Sequence, residues 1–116
     1  PFVKGDRVQL QQVVLNLVLN AFDAIDERPR GERRILIRTG LKNSKVLSAV
    51  TDNGIGVVTG DAEKVFEPFY TTKTQGMGMG LSICRSIIIH HQGQIWAENN
   101  PDGGTTFYFS LPASTT

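Results

Sequence analysis

The chain has 116 residues, 40% of them hydrophobic, with 12 basic against 11 acidic side chains and a formal net charge of +1, which suits one globular domain with its own core. That balance excludes a bulk electrostatic drive toward nucleic acid or an anionic membrane, and no apolar run approaches the roughly 20 residues of a membrane helix. Cys84 is the only cysteine, so no internal disulfide can form, and a cytoplasmic setting is expected. Pro1 is not a native start, so a longer parent is expected, one that could be membrane-anchored, with a domain over residues 1–112 and a tail over 113–116.

Asp6 is a candidate N-cap with Gln9 at capping-box spacing, and the pattern predicts a long helix from Asp6 to Glu27, ended by Pro29 and Gly31. Arg34–Thr39 alternates as a strand, Lys42–Lys45 is a polar turn, and Val46–Thr51 is a denser, inner strand. Asp52–Asp61 is a glycine-rich loop, Ala62–Phe66 a short helical turn before Pro68, and Thr71–Gly80 a mobile loop without apolar periodicity. A second helix is expected over Leu81–His91, with Gly93 as its stop. Gln94–Glu98 and Thr105–Leu111 read as a hairpin joined by Asn99–Gly104. The sum is a mixed α/β domain with helices covering a sheet.

The first helix carries a polar stripe. Gln9, Gln12, Asn16, Asn20, Asp23 and Glu27 recur at steps of three and four and so share one face. A solvated face accounts for Gln9, Gln12 and Glu27. It accounts less well for two asparagines one turn apart between leucines, because asparagine is a poor helix former. A side-chain amide can ligate a hard cation, directly or through water, without adding negative charge beside a polyphosphate.

Two glycine loops follow. Asp52-Asn53-Gly54-Ile55-Gly56 stands directly after the inner strand. As a bare turn it needs no function. As a dinucleotide fingerprint it fails, because Thr59 occupies the third glycine position. What remains is an acceptor-only carboxylate at the end of a buried strand, able to take a proton from an exocyclic amine, beside glycines that let a flat ligand approach. The second loop, Gly76-Met77-Gly78-Met79-Gly80, leads into Leu81-Ser82-Ile83. No Lys-Ser or Lys-Thr follows, so it is not a Walker A loop. Its composition suits a hinge and a phosphate cradle at a helix N-terminus equally.

Five blocks in this order resemble those of the ATP-binding catalytic domain of bacterial sensor histidine kinases, in the superfamily shared with gyrase B and MutL. Gln12–Ala21 is similar to the family's N box, Asp52–Gly56 to its G1 box, Phe66–Lys73 to its F box, Gly76–Ile83 to its G2 box and Gly104–Phe107 to its Gly-Thr-x-Phe box. The resemblance runs from Asp6 to Leu111. It implies the Bergerat ATP-binding fold, an α/β sandwich with a mixed, mostly antiparallel sheet and about three helices on one face.

The resemblance also implies roles. Asn20 matches the Mg²⁺ ligand and Asn16 its helper one turn earlier; Asp52 matches the residue that binds the adenine amino group. Gly54 and Gly56 match the glycines that shape that pocket, and Thr105 the supporting hydroxyl. Thr71–Gly80 matches the ATP lid, with Lys73 a phosphate ligand and Gly76, Gly78, Gly80 and Leu81 on the phosphate side. The cofactors implied are ATP and Mg²⁺. The partners implied are a dimerisation domain of the same protein carrying the acceptor histidine, a response regulator reached through it, and a second copy in a homodimeric parent. Departures are Asp23, where many members carry Lys, and Ile89 and Gln92, where Glu and Gly are common. His90 and His91 close the second helix, where the helix dipole favours histidine; neither is expected to be the phosphoacceptor, and the resemblance implies a structural histidine at His91. Cys84 and Trp96 are expected to pack in the core and the hairpin. Two rivals share the fold: a nucleotide sensor without phosphotransfer, and a serine/threonine kinase of the anti-sigma type.

Overall fold

The computed structural model describes residues 3–25, 30–54, 66, 80–101 and 103–113. Among them α1 spans Arg7–Ala24, a single 3-10 turn Arg30–Glu32, β1 Ile35–Lys42, β2 Lys45–Asp52, α2 Gly80–His90, β3 Gln94–Asn99 and β4 Thr105–Pro112. Each expected helix and strand in these stretches is present, shifted by a few residues at its ends. The turn expected at Ala62–Phe66 lies outside the described residues except for Phe66. Two α-helices are therefore described where about three were expected.

Helix α1 opens as its sequence dictates. Asp6 is extended, and its carboxylate accepts the Gln9 N–H at 3.0 Å. The reciprocal half of the capping box is not made, because the Asp6 N–H goes to His91 Nε2. Helix α2 ends differently from the expectation. The left-handed residue is Gln92, at φ 65°, not Gly93, whose N–H closes on the Ile88 carbonyl at 2.9 Å. Gly93 serves instead as a close approach, since a Cβ there would overlap the Ser110 carbonyl of β4.

The strands form one sheet in the order β1-β2-β4-β3, and all described pairings are antiparallel. Asn43 and Ser44, both at positive φ, make the two-residue turn between β1 and β2. Register aligns Val50, Phe107 and Ala97 across β2, β4 and β3, with Phe109 and Ile95 in the next row of that face. Both helices pack on this face: Val13, Leu17 and Ala21 of α1 and Cys84, Ile87 and Ile88 of α2 join the strand residues and Phe66 in one core. Fully burying a side chain of this size contributes about 1.5–3 kcal/mol. The helices run antiparallel. Asp6 meets His91, Cys84 Sγ lies 3.8 Å from the Val13 carbonyl, and Asn16 meets Gly80. Ten residues up α1 thus match eleven back along α2. α1 also has a second apolar face, with Val8, Leu15, Leu19 and Phe22 exposed.

Candidate functional site

At the end of β2, Asp52 is 1% exposed, among the most buried side chains of the described chain. Its Oδ1 accepts the Gly54 N–H at 2.9 Å and the Thr105 N–H at 3.3 Å. Its Oδ2 is equally buried and has no hydrogen-bond partner among the described residues. Burial pushes the carboxyl above its ordinary 3.8, and the two N–H bonds pull partly back. A dry oxygen without a donor is costly, so the arrangement favours either a proton or a ligand N–H at Oδ2.

The hairpin between β3 and β4 holds Asp52 from behind. Asn100 Nδ2 donates to the Asp52 carbonyl at 3.1 Å, and the Asn100 N–H closes the turn on the Gly104 carbonyl at 2.9 Å. Gly104 sits at φ 88°, where a Cβ would also overlap the Asp52 carbonyl. Thr106 spends its one hydroxyl proton on Asn100 Oδ1 at 2.7 Å, so Thr51 donates to Thr106 across the strands at 3.0 Å. Thr105 is buried and donates its hydroxyl to Asn99 Oδ1 at 3.3 Å, so its direct link to Asp52 is through its backbone N–H. Asn53 Oδ1 accepts the Arg34 N–H at 2.8 Å, and its Nδ2 donates to the Glu32 carbonyl. Asn53 and Asn100 were not picked out from sequence. Their only signal was an Asn beside the motif residue or at a turn. At Gly54 the close approach comes from the protein itself: a Cβ would overlap the Ala24 carbonyl of α1.

The other candidate residues that are described lie on α1 and at the start of α2. Asn16 Nδ2 points to the Gly80 carbonyl at 3.5 Å. Asn16 and Asn20 are half-buried, whereas Gln9, Gln12 and Asp23 on the same stripe are exposed. Gly80 opens α2, is exposed, and a Cβ there would meet nothing within 4 Å. Leu81 is half-buried and packs on the core. Behind them Cys84 is buried, and burial pushes its thiol up to about 11 against the opposing pull of the Asn16 side chain. Phe66, the described residue of the F box, stacks edge-on to Phe107 with centroids 6.1 Å apart, and the Arg85 guanidinium lies 6.0 Å above its ring. Gly56, Lys73, Gly76 and Gly78 lie outside the described residues. Among the described residues no group of three His, Cys, Asp or Glu could hold a metal by protein ligands alone.

Residues 5–115 match the family model for histidine kinase-, DNA gyrase B- and HSP90-like ATPases. The chain is 45% identical over 112 residues to the sensor protein FixL of Bradyrhizobium diazoefficiens, covering 97% of the chain and 22% of that relative. It is 39% identical over 116 residues to the sensor histidine kinase TmoS of Ectopseudomonas mendocina, covering 98% of the chain and 12% of that relative. The catalytic domain of the histidine kinase ThkA, in a nucleotide-free form, superposes with a TM-score of 0.81 at 43% identity, over 95% of this chain and 70% of that one. The chain thus spans under a quarter of each of these two curated relatives. Its buried aspartate, paired asparagines and glycine-led second helix sit on the fold of histidine kinase catalytic domains, and the chain belongs to the histidine kinase-, DNA gyrase B- and HSP90-like ATPase family.

Proposed function

We propose that this chain binds Mg-ATP and presents its γ-phosphate to a histidine on a dimerisation domain of the parent protein, as the catalytic domain, over residues 1–112, of a cytoplasmic sensor histidine kinase. The observation that carries the proposal is Asp52 Oδ2, a buried acceptor without a donor among the described residues, next to an Oδ1 already satisfied by two N–H groups. An adenine amino group offers the missing donor. Guanine, with a carbonyl at the same ring position, does not.

The phosphates would then lie toward Asn16, Asn20 and the start of α2. The N-terminus of an 11-residue helix carries unpaired N–H groups and partial positive charge. The donor set suits Mg²⁺ in one particular way. Mg²⁺ keeps several waters and needs few protein oxygens beside substrate phosphates, so the amide oxygen of Asn20 would complete a shell otherwise made of phosphate and water oxygens. When bound, it neutralises phosphate charge. Lys73 and the N–H groups of Gly76 and Gly78 would add to that from the lid, while Gly56 and Thr105 border the base. The chain's own contribution is positioning and charge, the main requirements of phosphoryl transfer. A structure of ThkA in complex with the response regulator protein TrrA superposes with a TM-score of 0.79 at 38% identity. By analogy a response regulator is the downstream partner here, and the parent is a homodimer.

Mixing the chain with a separately prepared dimerisation domain and γ-labelled ATP tests the transfer. Acid-labile label on that domain's histidine is expected. Acid-stable label, as on serine or threonine, or nucleotide binding without any transfer, would contradict it.

A further inference from the structure

We infer that His91 is a positioning residue: its neutral imidazole latches the chain entering the domain, and the start of α1, onto the end of α2, and so sets the Asn16–Gly80 end of the site. Nδ1 lies 2.8 Å from the Ile87 carbonyl, which can only accept, so Nδ1 carries the proton. Nε2 receives the Asp6 N–H at 3.0 Å and must keep its lone pair. Together the two bonds admit one tautomer and one protonation state.

The neighbouring chain is built around this ring. A Cβ on Gly5 would come within 2.9 Å of Nε2 and 3.0 Å of a Leu10 methyl, so the imidazole occupies the space a side chain would take. The capping-box partner for the Asp6 N–H was available in sequence as Gln9, yet the bond is made to a residue 85 positions away. The latch sits at one end of the antiparallel α1–α2 pair and the Asn16–Gly80 contact at the other, separated along α1 by 10 residues, or about 15 Å of helix. Between them Val13, Cys84 and Ile88 are fully buried, so a shift of one helix end is carried by packed side chains rather than absorbed.

Lys4 and Asp6 adjoin Gly5 in the sequence, Arg7 follows, and His90 precedes His91. The Asp6 carboxylate is engaged at the Gln9 N–H, and the His90 ring lies 6.3 Å from that of His91. Arg85 of α2 faces the Phe66 ring.

The test compares the chain with H91Q and H91A by amide hydrogen exchange and NMR. In H91Q the glutamine side-chain oxygen reaches the Nε2 position and does not titrate. Asp6 amide exchange in H91A is expected to rise roughly three- to tenfold over H91Q at the same pH. The wild-type chain is expected to match H91Q, and the Asn16 side-chain and Gly80 amide resonances to shift in H91A in step with the loss of Asp6 protection. Equal Asp6 protection in H91A and H91Q overturns the latch. Asn16 and Gly80 resonances that stay put while Asp6 is released overturn the positioning role. These readouts need no nucleotide. That the latch reaches ATP rests on the proposed function, and a chain that shows these shifts but binds no nucleotide refutes that function and leaves the latch standing.

Discussion

Asp52 holds one oxygen against two backbone donors and leaves the other without one among the described residues, which makes Asp52→Asn a sharp test. The amide oxygen would stay toward the Gly54 and Thr105 N–H groups, so its NH₂ would face the ligand, donor against donor. Losing a hydrogen bond to a charged group removes about 1.5–3 kcal/mol, roughly ten- to a hundredfold in nucleotide affinity by calorimetry. Stability should move the other way. The folded carboxyl is raised above its ordinary 3.8, so its contribution favours folding at low pH and is lost as pH rises from there through the raised value. Asp52→Asn lacks that loss, and its melting temperature at neutral pH should equal or exceed the wild type. A ligand N–H at Oδ2 favours the charged form, so nucleotide affinity should fall on acidification earlier than an ordinary carboxylate would make it, and Asp52→Asn should show no such fall. Cys84 gives a further residue-scale outcome. With its thiol buried and raised to about 11, it should resist thiol reagents at neutral pH in the native chain and react only on unfolding. Fast native labelling would contradict the packing described around Val13 and Asn16.

At the scale of elements, glycines that look alike in sequence separate by what they meet. Gly54 and Gly104 have protein backbone where a Cβ would go; Gly80 has open space. Gly80→Val should leave the melting temperature within a few degrees and weaken nucleotide binding, whereas Gly54→Val should unfold or strongly destabilise the chain through the clash with α1. Retained affinity in a folded Gly80→Val variant would contradict a phosphate site at the start of α2. The ends of elements also show what a linear pattern conveys. The Asp6 cap, both helices and all four strands were legible, because capping and periodicity are local. The partner of the Asp6 N–H was not, because it comes from His91 at the far end of another helix. Nor was the left-handed residue after α2: Gly93 carried the composition signal, but the strain falls on Gln92. Gln92→Gly should therefore raise stability by about 1 kcal/mol, read from chemical denaturation.

For the whole molecule, the five blocks that match the family are separate in sequence, and the sheet together with the two helices packed on it brings their described residues into place. β2 delivers Asp52 and the β3–β4 hairpin clasps it from behind, while α1 and α2 set Asn16 beside Gly80. Asp52, Asn16, Asn20, Gly80 and Thr105 stand out in the sequence one by one as candidates, but how they are placed depends on the β2–β4 pairing across an intervening helix and strand and on the α1–α2 packing, which no local signal reports. The supporting Asn53 and Asn100 stayed hidden for the same reason, since their work is on the backbone of residues distant in sequence. Without an acceptor domain the chain should bind nucleotide yet show no autophosphorylation on His90 or His91. The most direct measurement is calorimetric titration of the chain with ADP and with GDP, each with Mg²⁺, beside Asp52→Asn. The expected result is saturable ADP binding at one site, at least about tenfold weaker for GDP and for Asp52→Asn. Equal affinity for both nucleotides, or ADP binding undiminished in Asp52→Asn, would contradict a site built around the open oxygen of Asp52.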